Sequence, residues 1–181
     1  GDVMLLRAND HRDTLDPQVR LYDAQGTLLT SAHDFDRVEI THTLASAAYT
    51  LLVGDDGGED AGSYSFHLQR LNAPVGAAPI AYGQVVTGSV DHRAQMRAHT
   101  FTADAGDLML LRANDHGEGG FIPEARLYDA GGTLLTSAWG FEHVEITRTL
   151  SSGSHTLLVG DREGADTGCY TIYLQRLNGP V

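Results

Sequence analysis

LYDAQGTLLTSA, Leu21 to Ala32, returns as LYDAGGTLLTSA at Leu127 to Ala138. In both copies two apolar-rich extended runs flank a cluster of turn formers, DAQG or DAGG, in which Asp favours local hydrogen bonding and Gly supplies the tight backbone. Run, turn and run make a hairpin. The same hairpin twice makes a duplicated unit, and an internal repeat governs the fold before any single element does.

Working outward, GDVMLLRAND (Gly1 to Asp10) matches GDLMLLRAND (Gly106 to Asp115), and YTLLVGD (Tyr49 to Asp55) matches HTLLVGD (His155 to Asp161). LQRLNAPV at Leu68 to Val75 matches LQRLNGPV at Leu174 to Val181. About 48 of 75 aligned positions are identical, as expected of a whole duplicated domain. Two domains are expected, 1–75 and 76–181. The second copy carries a lead-in, AYGQVVTGSVDHRAQMRAHTFTADA (Ala81 to Ala105), with no counterpart in the first. The first copy is therefore expected to be N-terminally incomplete, the chain beginning inside a repeat.

Period two dominates within each copy. VEITHT (Val38 to Thr43) sets Val38 and Ile40 on one side and Glu39 and Thr41 on the other, and YSFHLQRL (Tyr64 to Leu71) alternates in the same way, as half-buried strands do. Strands are predicted near 84–90, 97–102, 107–113, 124–129, 133–136, 142–148, 154–160 and 168–176. The fold class is all-β: tandem antiparallel β-sandwich, jelly-roll-like domains of about eight strands each, the first lacking its two N-terminal strands. The tight ADAGD turn at Ala103 to Asp107 favours local pairing. Segment 84–102 is therefore expected to belong with 106–181. The first block would then be completed from outside, by preceding sequence or by a neighbouring subunit in a head-to-tail contact that propagates as a fibre. Pro74 and Pro79 mark a short linker of limited flexibility.

FTADAGD (Phe101 to Asp107), LYDAGGTLL (Leu127 to Leu135), TLSSGSHTLLVGD (Thr149 to Asp161) and TGCYTIYLQRL (Thr167 to Leu177) resemble the bacterial pre-peptidase C-terminal domain, here in tandem copies. The resemblance implies a β-sandwich of the kind appended to secreted proteases and found in tandem in other exported proteins. It implies no catalytic centre, association with secretion and with substrate or matrix binding, and in some branches calcium.

The formal charge of −12 argues against nucleic acid, whose recognition depends on basic patches. All twelve basic residues are Arg, so no Lys-based isopeptide cross-link can form. Cys169 is the one cysteine and can close no internal disulfide; Ser63 in the matching position marks it as incidental. No apolar run approaches the roughly 18 residues that span a bilayer, so no membrane insertion is expected. The expected location is extracellular or at a bacterial cell surface.

If successive strands run antiparallel, alternate loops share one end of each sandwich. That end collects Asn114, Asp115, Asp161 and Asp166 in the second copy and Asn9, Asp10, Asp55 and Asp60 in the first. Several carboxylates and an amide suit Ca2+, which takes six to eight oxygen ligands. The competing explanation is that Asp and Asn favour turns and keep a surface soluble. The nine His residues share no HExxH motif, and His33 and His67 align with Trp139 and Tyr173, so no common Zn2+ cluster is expected. There is no GxSxG elbow and no phosphate loop. A non-enzyme is expected.

Two functions follow. One is a non-catalytic extracellular tandem-repeat module with a structural or adhesive role, the repeating unit of a surface fibre or filament, whose partners are neighbouring copies of itself or adjacent repeats. The alternative is a substrate-binding appendage of a secreted hydrolase, holding it to polysaccharide or to extracellular matrix protein. Tyr82, Phe121, Trp139 and Tyr173 are the aromatic candidates for that second role.

Overall fold

The computed structural model describes residues 1–11, 15–45, 47–117 and 119–179. It is all-β. The strands are β1 (Asp2–Asp10), β2 (Pro17–Tyr22), β3 (Leu28–His33), β4 (Arg37–Leu44), β5 (Thr50–Asp55), β6 (Tyr64–Arg70), β7 (Ala78–Pro79) and β8 (Val85–Val90). They continue with β9 (Met96–Ala103), β10 (Leu108–Asp115), β11 (Pro123–Tyr128), β12 (Leu134–Trp139), β13 (His143–Thr149), β14 (Gly153–Asp161) and β15 (Gly168–Arg176).

The first block is a sandwich of two three-stranded sheets, β4-β1-β6 and β3-β2-β5. Leu6, Ala8, Val19, Val38 and Ile40 fill the space between them. The second block is larger: β13-β10-β15-β8 faces β12-β11-β14-β9-β7 over a core that includes Phe101, Leu111, Leu127, Leu157, Tyr170 and Ile172. Equivalent strands keep the same register, Leu6 opposite Ile40 and Leu68 in one block, Leu111 opposite Ile146 and Leu174 in the other.

Local chemistry explains why the copies agree. In the opening hairpin Asp23 Oδ1 accepts from the N–H groups of Gln25 and Thr27, and Asp129 Oδ1 accepts from those of Gly131 and Thr133. This Asx turn fixes both loops, and a bulge falls at the same place in each, after Leu21 and after Leu127. Pro17 and Pro123 open their strands, a strand position where Pro is tolerated because its missing N–H breaks no internal ladder bond. A second shared device is an amide clamp. Asn72 accepts from Val3 N–H and donates to Gly1 C=O; Asn178 does the same for Leu108 and Gly106.

The lead-in segment pairs with the second block: β8 runs antiparallel to β15, and β9 to β14. Their counterparts β6 and β5 have no strand on that side among the described residues. The stretch expected as a short linker of limited flexibility carries a strand of its own. Ala78 and Pro79 run parallel to β9, Ile80 is buried in the second core and its N–H reaches Thr100 C=O. Periodicity could not reveal a two-residue strand.

The blocks stack through sheet faces. Leu5 and Leu71 from the β4-β1-β6 side form one apolar cluster with Met96, Ala98, Tyr128 and Leu158 from the outer side of β11, β14 and β9. Four sheets therefore lie in sequence, β3-β2-β5, β4-β1-β6, the β11 sheet and the β10 sheet. Among the described residues nothing packs on the outward faces of the first and the last.

Candidate functional site: the face between the two blocks

The contact between blocks is built from alternate residues of strands whose other residues fill the cores. On β1, Leu6 and Ala8 point into the first block, so Leu5 and Arg7 point at the second. Arg7 is fully buried, a rare state for a charged side chain unless it is paired. Its Nε lies 2.7 Å from Glu39 Oε1, and its Nη2 donates to the carbonyls of Asp161 (3.1 Å) and Arg162 (3.2 Å). From the other side Arg126 grips Glu39 with two parallel bonds, Nη1 to Oε2 at 2.8 Å and Nη2 to Oε1 at 2.9 Å. It also holds Glu124 through Nε and Nη2, at 2.8 and 2.9 Å. Two guanidinium groups and two carboxylates thus form one network, two members from each block.

The electrostatics follow from burial and pairing together. Burial works against the Arg126 charge, but the bonds to Glu39 and Glu124 outweigh it and its pKa stands above the ordinary arginine value. Burial also works against ionised Glu39, yet Arg126, Arg7 and Arg37 hold its carboxyl below the usual range. For Arg7 burial prevails over the attraction of Glu39 and the pKa is lowered. His67, beside Arg7 on β6, is lowered mainly by burial and further by that neighbouring charge. Around this network Asn9 Nδ2 donates to Glu163 C=O, Arg93 Nη1 to His11 C=O and Thr156 Oγ1 to Leu71 C=O. Gly132 shows how close the surfaces come. Its φ of +82° suits glycine, and a Cβ built there would lie 3.0 Å from Val3 Cβ and 3.2 Å from Leu71 Cβ.

The residues named for Ca2+ are spread over several loops. Asp161 Oδ1 accepts from Ile122 N–H and its Oδ2 from Ala165 and Asp166 N–H; Asp55 binds the N–H groups of Asp16, Glu59 and Asp60 in the same way. These two carboxylates latch loops. Asn9 faces the second block, and Asp10 continues β1 with its N–H on Asp36 C=O. Asn114 and Asp115 line a shallow hollow with His116 and Glu142, whereas Asp166 lines another with Asp91 and Cys169. Asp60 lies in the exposed loop held by Asp55. Glu118, in the acidic loop that follows Asp115, lies outside the described residues. Among those described, no group of three or more His, Cys, Asp or Glu side chains is placed to hold a metal ion.

The aromatic candidates divide. Phe121 is core and Tyr82 packs edge-on to Phe101, ring centres 6.0 Å apart, so both are corrected from ligand candidates to packing residues. Tyr173 is half-buried, its hydroxyl donating to Gln175. Trp139 is exposed, with the Arg162 guanidinium 3.7 Å over its ring and Phe141 edge-on at 5.8 Å. Phe141 escaped the sequence argument, as did its counterpart Phe35; they are 72% and 75% exposed at the same corner of each block. The signal was there: Phe35 and Phe141 align.

The fold so defined is an all-β, antiparallel sandwich architecture. No protein-family model matches the chain and no curated protein matches it. Among solved structures, the pre-peptidase C-terminal domain of a collagenase from Bacillus anthracis superposes with a TM-score of 0.47 at 16% identity, covering 55% of this chain and 94% of that one. PliG of Aeromonas hydrophila, a periplasmic inhibitor of g-type lysozyme, gives 0.42 at 12% identity, covering 55% of this chain and 94% of that one. Both scores are too low to carry a family or functional assignment. No helix among the described residues is long and apolar enough to cross a membrane.

Proposed function

We propose that the chain is a non-catalytic, extracellular structural module whose repeats stack face to face, a section of a bacterial surface fibre. The observation behind this reading is the buried network of Arg7, Glu39, Glu124 and Arg126, which joins the two blocks through side chains rather than through a flexible tether. Removing one partner of a buried ion pair leaves an uncompensated buried charge, so deleting any one of the four is expected to weaken the contact. Arg126→Ala removes the centre of the network. A chain tethered at both ends and pulled should give a distinct separation of the blocks that this substitution lowers in force. Separation at indistinguishable force in both proteins would remove the basis of the reading.

The exposed Trp139 and Phe141 favour the alternative, a binding appendage, because paired exposed aromatics suit sugar rings or protein side chains. Retention on insoluble polysaccharide or collagen that is lost in Trp139→Ala would decide for it.

A further inference from the structure

The surface that the first block buries against the second has a copy on the second block, and that copy is uncovered. Arg7 pairs with Glu39 in the buried face; the matching Arg112 and Glu145 form the same pair on the β10 sheet, with side chains 49% and 40% exposed. Leu71 is fully buried at the contact, whereas its counterpart Leu177 is 44% exposed.

The receiving surface is duplicated in the part that β11 and β14 supply, with Gln18 in place of Glu124, but not in the part where β9 supplies Met96 and Ala98. In the second block Leu158 and Arg126, with the carbonyls of Asp161 and Arg162, form the seat for Leu5 and Arg7. In the first block the matching Leu52 is 51% exposed, and a hollow lined by Arg20, Leu52, Asp55 and Asp56 stands open where the second block's equivalent is filled by Arg7. The opposing charges match too: Arg20 stands where Arg126 meets Glu39, so an incoming Glu145 would find a guanidinium in the same place. Asp56 replaces Arg162 beside the seat and lines the hollow that an incoming Arg112 would enter, its carboxylate shared there with Gln18 and His33.

We propose that the outer face of the β10 sheet, centred on Arg112 and Glu145, docks onto the outer face of the β2 sheet of a second copy of this chain, with Arg112 in the hollow beside Arg20 and Leu52. The contact repeats in trans the Arg–Glu and leucine part of the one that joins the two blocks in cis, without the β9 residues Met96 and Ala98. It is heterologous, each chain offering one face and receiving on another, so it propagates rather than closing as a dimer. The proposal rests on the structural-module reading and names the surface through which that module would grow.

Sedimentation of the 181-residue chain from about 1 µM to about 1 mM covers the range of weak protein contacts. Four samples decide the matter: wild type, Glu145→Arg, Arg20→Glu, and an equimolar mixture of the two variants. Arg20 and Glu145 are exposed, so both variants should keep the wild-type melting curve. Wild type is expected to form a ladder of growing species, and each variant alone to need at least about tenfold higher concentration, because like charges then face each other. The mixture should regain wild-type association, since every contact between unlike variants pairs Arg with Glu. Association that neither substitution weakens would overturn the docking face while leaving the structural-module reading standing. A wild-type chain that stays monomeric throughout would overturn the proposal outright, whereas block separation at the same force in wild type and Arg126→Ala would strike the module reading itself.

Discussion

Tyr64 and Tyr170 occupy the same position in the same strand of two near-copies, yet Tyr64 is 44% exposed and Tyr170 is fully buried. Phe66 and Ile172, and Leu68 and Leu174, differ in the same direction. Nothing local separates the two sets, because the strands, their register and their turns agree. The cause lies in β8 and β9. β8 presses its backbone onto Tyr170, so closely that a Cβ at Gly88 would sit 2.5 Å from the ring, and β9 brings His99 Nε2 within 3.0 Å of the Tyr170 hydroxyl. Burial is a property of what covers a strand. The residue's own chemistry decides only which side it shows.

Deleting the two rings should separate the blocks most widely. Tyr170→Ala should destabilise the second block by about 3–5 kcal/mol, the usual range for removing a large buried aromatic. Tyr64→Ala should cost less than about 1.5 kcal/mol, since much of its ring is already in water. Urea unfolding of the two variants measures both. Equal losses would mean that the first block is covered in solution.

Acid provides the next contrast, because β9 puts a buried His into the second block only. Burial and the nearby Arg97 hold the His99 pKa down to about 4 from an ordinary 6.5. Between those values the unfolded chain binds a proton that the folded chain refuses, so stability falls as pH falls through that window, by about 3 kcal/mol at its lower end. Melting between pH 7 and pH 4 should show the loss, and His99→Gln should flatten the curve there. An unchanged slope in the variant would assign the acid sensitivity elsewhere.

Ca2+ should have the smallest effect. Asp55 and Asp161 already accept backbone N–H groups, so millimolar Ca2+ against chelator should move the melting midpoint by less than about 2 °C, the shift expected of an ion present near its dissociation constant. A shift of several degrees would return Asn9, Asp10, Asp55, Asp60, Asn114, Asp115, Asp161 and Asp166 to the role of an ion site.

The strands were legible because their signals are local. Alternation in VEIT and the Asx turn of DAGGT act within a few residues, and the observed boundaries lie close to those read from periodicity. The docking face was illegible for the opposite reason. Arg7 and Arg112 stand in the same LLRAND string, and only contacts to residues more than a hundred positions away make one buried and the other exposed. The acids are ambiguous for a third reason. Asp in a turn has backbone N–H groups within reach before any ion arrives, so composition alone cannot separate a latch from a ligand.

β8 and β9 alone account for the difference in burial between the blocks. Fusing a copy of residues 81–105 ahead of Gly1 supplies the same strand pair to β6 and β5, and amide hydrogen exchange across 50–55 and 64–70 reads the outcome directly. Exchange in those strands should slow toward that of 153–161 and 168–176, because edge N–H groups become paired and the exposed Tyr64, Phe66 and Leu68 become covered. Exchange that stays at its original rate, with the fused segment itself unprotected, would contradict the account.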